Sequence, residues 1–420
     1  MPEILVTGGV RLSGSVSVLG AKNAVLKQMV AALLAPGVYR LDNVPRILDV
    51  EFMRQVLEHL GASCRLEDHH LTIEVPGDLR PEAPIRLVRK MRASILVLGP
   101  LLARCGVARV ALPGGDDLGA RPIDWHLEGL AAMGAGFELE HGVLEGRAPK
   151  GLRGTEVRLD FPSVGATENI MLAAVLARGE TLIVNAAREP ELEDLAAFLT
   201  KMGARIEGAG TSTIRIDGVA ELEPATHRVI SDRLEAGTYA VAAAITEGDV
   251  RVNDCNPSHL RMELRKLAEA GCEVKQGDDW LSVSGPDRPQ PVDFATLPFP
   301  GFHTDMHPPI VALLSVASGT SVITENIYDA RFRYMGELTR MGADISVEWQ
   351  HAVIRGVERL SGCPVVAPDI RAGASLVLAA LRAEGQTVIS EADHIDRGYE
   401  DLVGNLRSLN AEIDRRPEDG

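Results

Sequence analysis

The hydrophobic positions of the chain follow one pattern that recurs six times, about every seventy residues. Each copy begins with a helix that is apolar on nearly every face, continues through Gly into a short β-branched strand, and ends with a second, amphipathic helix. A helix that is apolar all round is typical of a buried position, whereas a charged face indicates a helix that covers the outside. The pattern therefore predicts repeated α/β subdomains.

The start of the first helix identifies each copy. These starts read GAKNAVLKQM from residue 20, MRASILVLGP from 91, SVGATENIML from 163, DRLEAGTYAV from 232, TDMHPPIVAL from 304 and IRAGASLVLA from 370. Because three buried helices can pack on one another under a cover of sheet, six copies predict two similar domains of three subdomains each. We expect one domain over 21–230 and a second over 1–20 plus 231–420.

Composition and charge narrow the class of protein. The chain of 420 residues exceeds what one core usually fills, and 45% hydrophobic residues are typical of a globular protein. The net charge of -16 argues against nucleic acid or an anionic membrane as a partner, since either needs a basic face. Five cysteines without CxxC spacing predict free thiols in a reducing compartment. With no leader or membrane-spanning run in view, we expect a cytoplasmic protein.

Polar side chains stand at the starts of the otherwise apolar inner helices. They are Lys22 with Asn23, Arg92, Ser163 to Gly165, Asp232 with Arg233, Asp305, and Arg371. If the inner helices of a domain run parallel, these side chains emerge at one end of that domain. Helix N-termini combined with Lys and Arg form an anion site, so the sequence predicts an anionic substrate in a cleft between two such ends.

Seven longer motifs carry a resemblance to a known family. They are GAKNA at 20–24, MRAS at 91–94, PGG-x-x-x-GARP at 113–122, SVGATEN at 163–169, NAAREPE at 185–191, TDM at 304–306 and HIDRGYE at 394–400. In these motifs the whole chain resembles the UDP-N-acetylglucosamine enolpyruvyl transferases, within the enolpyruvyl transferase family. The resemblance implies two similar domains that form an inside-out α/β barrel, an active site in the interdomain cleft, and a mobile loop at 112–122.

The resemblance also implies a reaction and a set of residues. The enolpyruvyl group of phosphoenolpyruvate would pass to the C3 hydroxyl of UDP-N-acetylglucosamine with release of phosphate, as the first committed step of peptidoglycan synthesis, without a cofactor or a metal. Phosphoenolpyruvate would be bound by Lys22, Asn23, Arg92, Arg121, Arg371 and Arg397, of which Lys22 and Arg397 also count as catalytic. Asp305 matches the general base. The UDP-sugar would contact Asn23, Arg92, Arg121, Pro122, Ile123, Asp124, Trp125, Ser163, Val164, Gly165, Asp305 and Ile327.

Asp116 occupies an unusual place in the loop LPGGDDLGARP. In most of the family this residue is a cysteine that donates a proton to the methylene carbon and is alkylated by the antibiotic fosfomycin. An aspartic acid can donate a proton only if a fraction stays protonated, which the neighbouring Asp117 would favour and a cationic cleft would oppose. We expect retained activity with an acidic pH optimum, and no alkylation by fosfomycin, because a soft thiolate is missing.

Several positions depart from the usual family pattern and keep alternatives open. Leu48 and Phe161 stand where a lysine is often found, Tyr328 replaces a phenylalanine, Leu19 replaces a serine, and the run HTDMHPP replaces one similar to PTDMQAQ. The acceptor could therefore be a uridine nucleotide or shikimate phosphate, and a non-catalytic paralogue that binds a nucleotide sugar is a further alternative. His303, Asp305 and His307 are spaced by two and would share one face of a strand. The repeat instead places Asp305 at a helix start, so this stretch lacks the third and fourth ligands of a convincing metal site.

A last group of acidic residues matches polar positions of the family's cleft, but helix capping explains such residues equally well. The group consists of Asp49, Glu189, Glu191, Asp232 and Asp369.

Overall fold

The computed structural model describes residues 2–116, 118–119 and 122–416. Arg121, which the sequence placed beside the substrates, and Asp117, the neighbour of Asp116, lie outside the described residues. The chain divides into two compact units. The 20–230 unit contains Gly20–Asp116 and Pro122–Ile230, and the 231–416 unit contains the residues from Ser231 onward, those up to Leu19, and Leu118 with Gly119.

The elements are numbered in chain order over the described residues. The strands are β1 Glu3–Thr7, β2 Ser13–Ser17, β3 Gly37–Asp42, β4 Ser63–Glu67, β5 His70–Val75, β6 Val107–Ala111, β7 Gly136–Glu140, β8 Val143–Arg147, β9 Glu156–Arg158, β10 Glu180–Val184, β11 Arg205–Glu207, β12 Thr213–Asp217, β13 Thr226–Arg228, β14 Asp249–Asn253, β15 Glu273–Gln276, β16 Trp280–Ser284, β17 Phe294–Ala295, β18 Thr320–Thr324, β19 Asp344–Glu348, β20 His351–Arg355, β21 Pro364–Val366, β22 Gln386–Ser390 and β23 Glu412–Arg416.

The α-helices are α1 Lys22–Ala31, α2 Leu48–Leu60, α3 Ile85–Val88, α4 Leu98–Cys105, α5 Asp124–Ala132, α6 Val164–Ala174, α7 Pro190–Lys201, α8 Arg233–Ile245, α9 Arg261–Glu269, α10 His307–Leu314, α11 Met335–Arg340, α12 Ile370–Arg382, α13 Asp393–Asp396 and α14 Leu402–Ser408. Short 3₁₀ helices cover Ala32–Leu34, Arg92–Val97, Pro257–Leu260, Thr304–Met306 and Arg331–Tyr334.

The 20–230 unit has the predicted inner and outer helices. Helices α1, α4 and α6 are the inner helices, and most of their residues are buried, including a few polar ones. The outer helices α2 and α7 bury one face and leave charged residues on the other. Three sheets, with strand orders β13-β3-β5-β4, β6-β8-β7 and β11-β12-β10-β9, complete the unit. One sheet therefore accompanies each copy of the repeat.

The 231–416 unit repeats this arrangement. Its inner helices are α8, which is buried along its whole length, α10 and α12. Its sheets have the orders β15-β16-β14-β2, β17-β18-β20-β19 and β21-β22-β1-β23. The first two strands of the chain belong to these sheets, since β1 pairs with β22 and β23, and β2 pairs with β14.

Within each unit, polar contacts join inner helices to one another. In the 20–230 unit, Gly99 N–H, early in α4, donates a hydrogen bond of 2.8 Å to Asn169 Oδ1 in α6. In the 231–416 unit, Asp305 lies just before α10, and one of its oxygens is 3.5 Å from Arg371 Nε at the start of α12. The predicted fold class, two similar α/β domains with buried parallel helices, is confirmed.

Across the ranges that the structure describes, every helix is too short or too polar to cross a membrane.

Candidate active site

The first cation of the predicted site is held by a buried carboxylate. Lys22 opens α1, and its Nζ is 3.1 Å from Asp49 Oδ2 in the first turn of α2. The side chain of Asp49 is almost wholly buried, while that of Lys22 keeps 14% exposure. An anion fixed in this way holds the ammonium group at the helix start, next to Asn23. Asp49 thus orients a binding cation.

The loop that carries Asp116 begins against the backbone of Arg92. A Cβ on Gly114 would be 1.9 Å from Arg89 O, and one on Gly115, whose φ is +105°, would be 3.0 Å from Arg92 N. Only glycine fits this close approach. Arg92 Nη2 in turn donates a hydrogen bond of 3.0 Å to Pro122 O, on the far side of the loop. Both ends of the loop are therefore anchored beside one arginine of the predicted phosphoenolpyruvate site.

The segment from Ser163 to Gly165 forms the start of α6. Ser163 caps the helix, because its Oγ accepts a 3.3 Å hydrogen bond from Ala166 N–H. A Cβ on Gly165 would be 3.1 Å from His126 Cε1 and Nε2, so the ring of His126 packs directly on this turn. Burial, with a smaller effect of Arg92, lowers the pKa of His126 to about 3, so the imidazole is neutral. The backbone N–H groups of such a helix start can hold a phosphate.

The predicted uracil-binding residues include an aromatic pair. The rings of Trp125 and Phe161 are stacked, with centroids 5.7 Å apart and planes inclined by 18°. Both rings are partly exposed, Ile123 is buried, and Pro122 is exposed. Phe161, which the sequence showed as the loss of a cation, therefore extends the apolar face of Trp125.

Asp305 lies between two buried guanidinium groups in the 231–416 unit. Its Oδ1 accepts a 3.0 Å hydrogen bond from Arg331 Nη2, and its Oδ2 is 3.5 Å from Arg371 Nε. The backbone N–H of Asp305 donates to His303 Nδ1 at 3.0 Å, which caps the 3₁₀ turn. Asp305 retains 20% side-chain exposure, whereas both arginines retain less than 5%. The carboxylate is thus held in place while one part of it remains accessible.

Arg371 is charged although it is buried. Burial disfavours its charge, but Tyr399, Asp232 and Asp305 together raise the pKa of Arg371 above its usual value. Its guanidinium group lies over the ring of Tyr399, 5.1 Å from the ring centroid, while its Nε is 3.5 Å from Asp305 Oδ2. A planar guanidinium group of this kind is suited to hold a carboxylate.

The segments that carry Arg397 and Ile327 pack near the cluster of Asp305, Arg331 and Arg371. A Cβ on Gly398 would be 2.4 Å from Ile370 Cγ2, which brings the backbone next to Arg397 close to the start of α12. Glu325 Oε1 accepts the N–H groups of Ile327 at 2.8 Å and of Tyr328 at 3.1 Å. Burial raises the pKa of Glu325, although these hydrogen bonds act against the shift.

The five acidic residues whose role the sequence left undecided fall into two groups. Asp232 and Asp369 are helix caps, since each accepts two backbone N–H groups at the start of α8 and α12 respectively. Asp49 holds Lys22, and Glu189 and Glu191 are buried at the start of α7.

The histidines flanking Asp305 do not converge on it as metal ligands. His307 is fully buried, with its ring centroid 5.3 Å from that of Phe332, and His303 caps the turn. No cluster of His, Cys, Asp or Glu that could hold a metal ion occurs among the residues for which the structure gives positions.

Two features of the site were missed by the sequence analysis. Arg331 was given no role by the sequence analysis, yet it is buried and is bonded to Asp305. A buried ion pair between Lys27 and Glu168 links α1 to α6. Charged residues inside otherwise apolar inner helices were the signal for this pair, whereas no local signal distinguished Arg331 from a surface arginine.

Comparison with known proteins first identifies the family to which the chain belongs. The family described as EPSP synthase (3-phosphoshikimate 1-carboxyvinyltransferase) has a model that matches residues 6–406, and the chain belongs to this family of carboxyvinyl transferases. Among solved structures, the enolpyruvyl transferase NikO from Streptomyces tendae superposes with a TM-score of 0.89 at 26% identity, covering 99% of both chains. An EPSP synthase from Acinetobacter baumannii, at 19% identity and a TM-score of 0.77, covers 99% of this chain and 100% of its own, and shares the fold.

Sequence relatives then narrow the class. A protein of Nocardia farcinica named UDP-N-acetylglucosamine 1-carboxyvinyltransferase is 53% identical over 419 residues, which cover 98% of each chain. A protein of Trichlorobacter lovleyi with the same name is 50% identical and covers 100% of each chain. The family resemblance stated from the motifs is confirmed.

Proposed function

We propose that the chain transfers the enolpyruvyl group of phosphoenolpyruvate to the C3 hydroxyl of UDP-N-acetylglucosamine and releases phosphate. The observation that carries the reaction is the cluster of Asp305, Arg331 and Arg371, in which a partly exposed carboxylate is held between two buried guanidinium groups. The relatives at 50–53% identity support the nucleotide sugar as acceptor. In a bacterial cell this reaction would belong to peptidoglycan synthesis, and we propose a cytoplasmic location for it.

In the proposed mechanism Asp305 is the general base. It takes the proton of the sugar hydroxyl while the hydroxyl oxygen forms a bond to C2 of phosphoenolpyruvate, and the methylene carbon gains a proton. The resulting tetrahedral intermediate loses phosphate when its C–O bond breaks and the methyl carbon gives up a proton. Arg331 and Arg371 favour the ionised form of Asp305, which a base requires.

Fixed cations would bind the phosphate and carboxylate of phosphoenolpyruvate. Lys22 is held by Asp49, Arg92 lies beside the loop, and Arg371 adjoins the partly exposed Asp305. We assign Arg397 to the same task from its motif. Arg121 keeps its proposed role from the motif alone. Preorganised cations of this kind stabilise charge that develops in the transition state.

Asp116 is the proposed proton donor to the methylene carbon. Its backbone follows Gly115, which is packed on Arg92, so the side chain starts near a proposed phosphoenolpyruvate ligand. A carboxylic acid in place of a thiol predicts activity that declines as the pH rises above neutrality. A steady increase of activity above neutral pH would contradict the assignment.

The proposed sugar-nucleotide site uses the aromatic pair and the start of α6. Trp125 and Phe161 form a stacked, partly exposed aromatic pair, and a uracil ring could continue the stack. The N–H groups of Val164 and Gly165, at the positive end of a helix, are suited to the diphosphate.

Phosphate release from phosphoenolpyruvate tests the proposal, with UDP-N-acetylglucosamine, UMP and shikimate phosphate as parallel acceptors. We expect release with the UDP-sugar alone. Release only with UMP or with shikimate phosphate would assign the protein to a sister reaction, and the similarity to the enolpyruvyl transferase NikO makes a different acceptor the second candidate. Binding of the UDP-sugar without release in any reaction would indicate a non-catalytic paralogue.

A further inference from the structure

A lysine is buried in the interior of the first inner helix. Lys27 is the sixth residue of α1, and its side chain is only 9% exposed. Its Nζ donates a hydrogen bond to Asn23 O, one turn toward the helix start. Long side chains in helices point toward the N-terminus, which brings this positive charge close to the positive end of the helix dipole. Burial and the dipole both disfavour a cation there, so stability alone does not explain the lysine.

The counter-ion of Lys27 comes from a different inner helix. Glu168 in α6 is 1% exposed, and its Oε1 is 3.5 Å from Lys27 Nζ. This oxygen has no hydrogen-bond partner among the described residues. A buried ion pair with incomplete hydrogen bonding is commonly no more stable than an apolar pair of the same volume. The pair therefore needs an explanation other than stability.

The two ends of the pair reach the two helix starts of the proposed substrate site. Lys27 is bonded to the carbonyl of Asn23, in the turn that begins with Lys22. The chain neighbours of Glu168 hold the start of α6. Thr167 Oγ1 donates a hydrogen bond of 2.8 Å to Ser163 O. Asn169 Nδ2 is 3.0 Å from Nδ1 of His126, the ring that packs on Gly165. The pair thus connects Asn23 to the helix start that includes Ser163 and Gly165.

We propose that Lys27 and Glu168 are positioning residues that hold the first turn of α1 in register with the first turn of α6, so that Asn23 and Ser163–Gly165 bind one nucleotide sugar. This inference rests on the proposed function of both helix starts. Neither side chain touches the substrates, and the pair acts through the backbone of the residues that do.

The charge of the pair changes within the physiological pH range. Burial raises the pKa of Glu168 to about 7, Lys27 opposes this shift, and Glu191 and Glu189 at the start of α7 add to it. At pH 8 Glu168 is largely ionised and paired with Lys27, whereas at pH 6 it is largely neutral. We therefore expect the KM for the nucleotide sugar to fall as the pH rises from 6 to 8.

The test compares Glu168→Gln, Lys27→Met and the double variant with the wild type at pH 6 and pH 8. Glu168→Gln imitates the protonated acid, so its KM should stay at both pH values near that of the wild type at pH 6. Lys27→Met should raise the KM at least about threefold at pH 8, and the double variant should be no worse than either single variant. Glu193→Gln is the matched control, because burial also raises the pKa of Glu193 in the same unit. It should keep the KM of the wild type.

Hydrogen exchange provides a readout that needs no substrate. In Glu168→Gln and Lys27→Met, the hydrogen-bonded amides of Ala24, Val25, Ala166 and Thr167 should exchange faster than in the wild type and in Glu193→Gln. Unchanged exchange at both helix starts, or variants that lose only thermal stability and keep the KM and its pH dependence, would overturn the positioning role. A wild type that releases no phosphate with any acceptor would instead count against the proposed function.

Discussion

The chemistry of Asp305 is decided by the two residues that surround its carboxylate. Arg331 and Arg371 stabilise the ionised form, and partial exposure leaves the group accessible. Glu235, in the same unit, has the opposite surroundings, since burial raises its pKa to about 8. The two guanidinium groups favour the ionised form of Asp305, whereas burial favours the protonated form of Glu235.

Replacement of Asp305 tests its role at the scale of one residue. Asp305→Asn keeps the shape of the side chain and the backbone hydrogen bond to His303 but cannot accept a proton, so we expect kcat to fall by about 10²–10⁴. Calorimetric titration with the nucleotide sugar should show binding close to that of the wild type, which separates catalysis from binding. A kcat within threefold of the wild type would show that another group takes the proton.

Replacement of Asp116 provides a second test at the scale of one residue. Asp116→Asn removes the transferable proton and should lower kcat by about 10²–10⁴, whereas Asp116→Cys should remain active. Preincubation with fosfomycin should inactivate Asp116→Cys with time and leave the wild type active, because only a thiolate is a soft nucleophile. Time-dependent loss of wild-type activity at low fosfomycin concentration would contradict the proposed role.

At the scale of the element, the sites lie at helix starts because interior side chains are used for packing. His303 shows how a start is shaped, since its Nδ1 accepts the N–H of Asp305 and thereby orients the carboxylate. His303→Ala should lower kcat several-fold, because loss of a cap costs about 1 kcal/mol. His303→Asn, which can also cap, should restore most of the rate. Equal rates for the two variants would exclude capping as the function of His303.

Gly165 tests the start of α6. A Cβ there would be 3.1 Å from His126, so Gly165→Ala forces the ring or the turn to move. We expect a higher KM for the nucleotide sugar and a loss of about 1 kcal/mol in the free energy of unfolding. Gly336→Ala in α11 is the control, because nothing lies within 4 Å of its Cβ. It should keep the KM and gain about 0.5–1 kcal/mol of stability.

At the scale of the whole molecule, buried acids should shape the pH dependence of stability. Burial raises the pKa of Glu235 to about 8 from an ordinary value of 4.5, so the folded state holds a proton that the unfolded state releases. This contribution is complete below pH 4.5 and is lost as the pH rises toward 8. Burial lowers the pKa of His126 to about 3, and its contribution is instead lost as the pH falls below 6.5.

Thermal unfolding of Glu235→Gln at pH 6 and pH 8.5 measures the first of these effects. The wild type should lose stability over this interval, and the variant should lose less, because its amide cannot release a proton. An equal loss in both proteins would show that Glu235 does not carry the effect.

Much of the fold could be predicted because its signal is local. Helices such as α8 and α12 are apolar on every face, and this feature of the sequence already predicts burial. Much of the candidate site could be predicted as well, since Lys22 and Asp305 stand at the starts of such helices. Arg331 could not, because its role comes from the distant Asp305, 26 positions away in the chain.

The sequence by itself determined the repeated α/β pattern, the buried inner helices and the family. These follow from the period and polarity of nearby residues, which local sequence records directly. Only the tertiary structure decided which acids pair with buried cations and which cap helices, as Asp305, Glu168 and Asp369 show. The charge of a carboxyl group depends on its burial and on the cations within a few ångströms, and both are set by residues far apart in the chain.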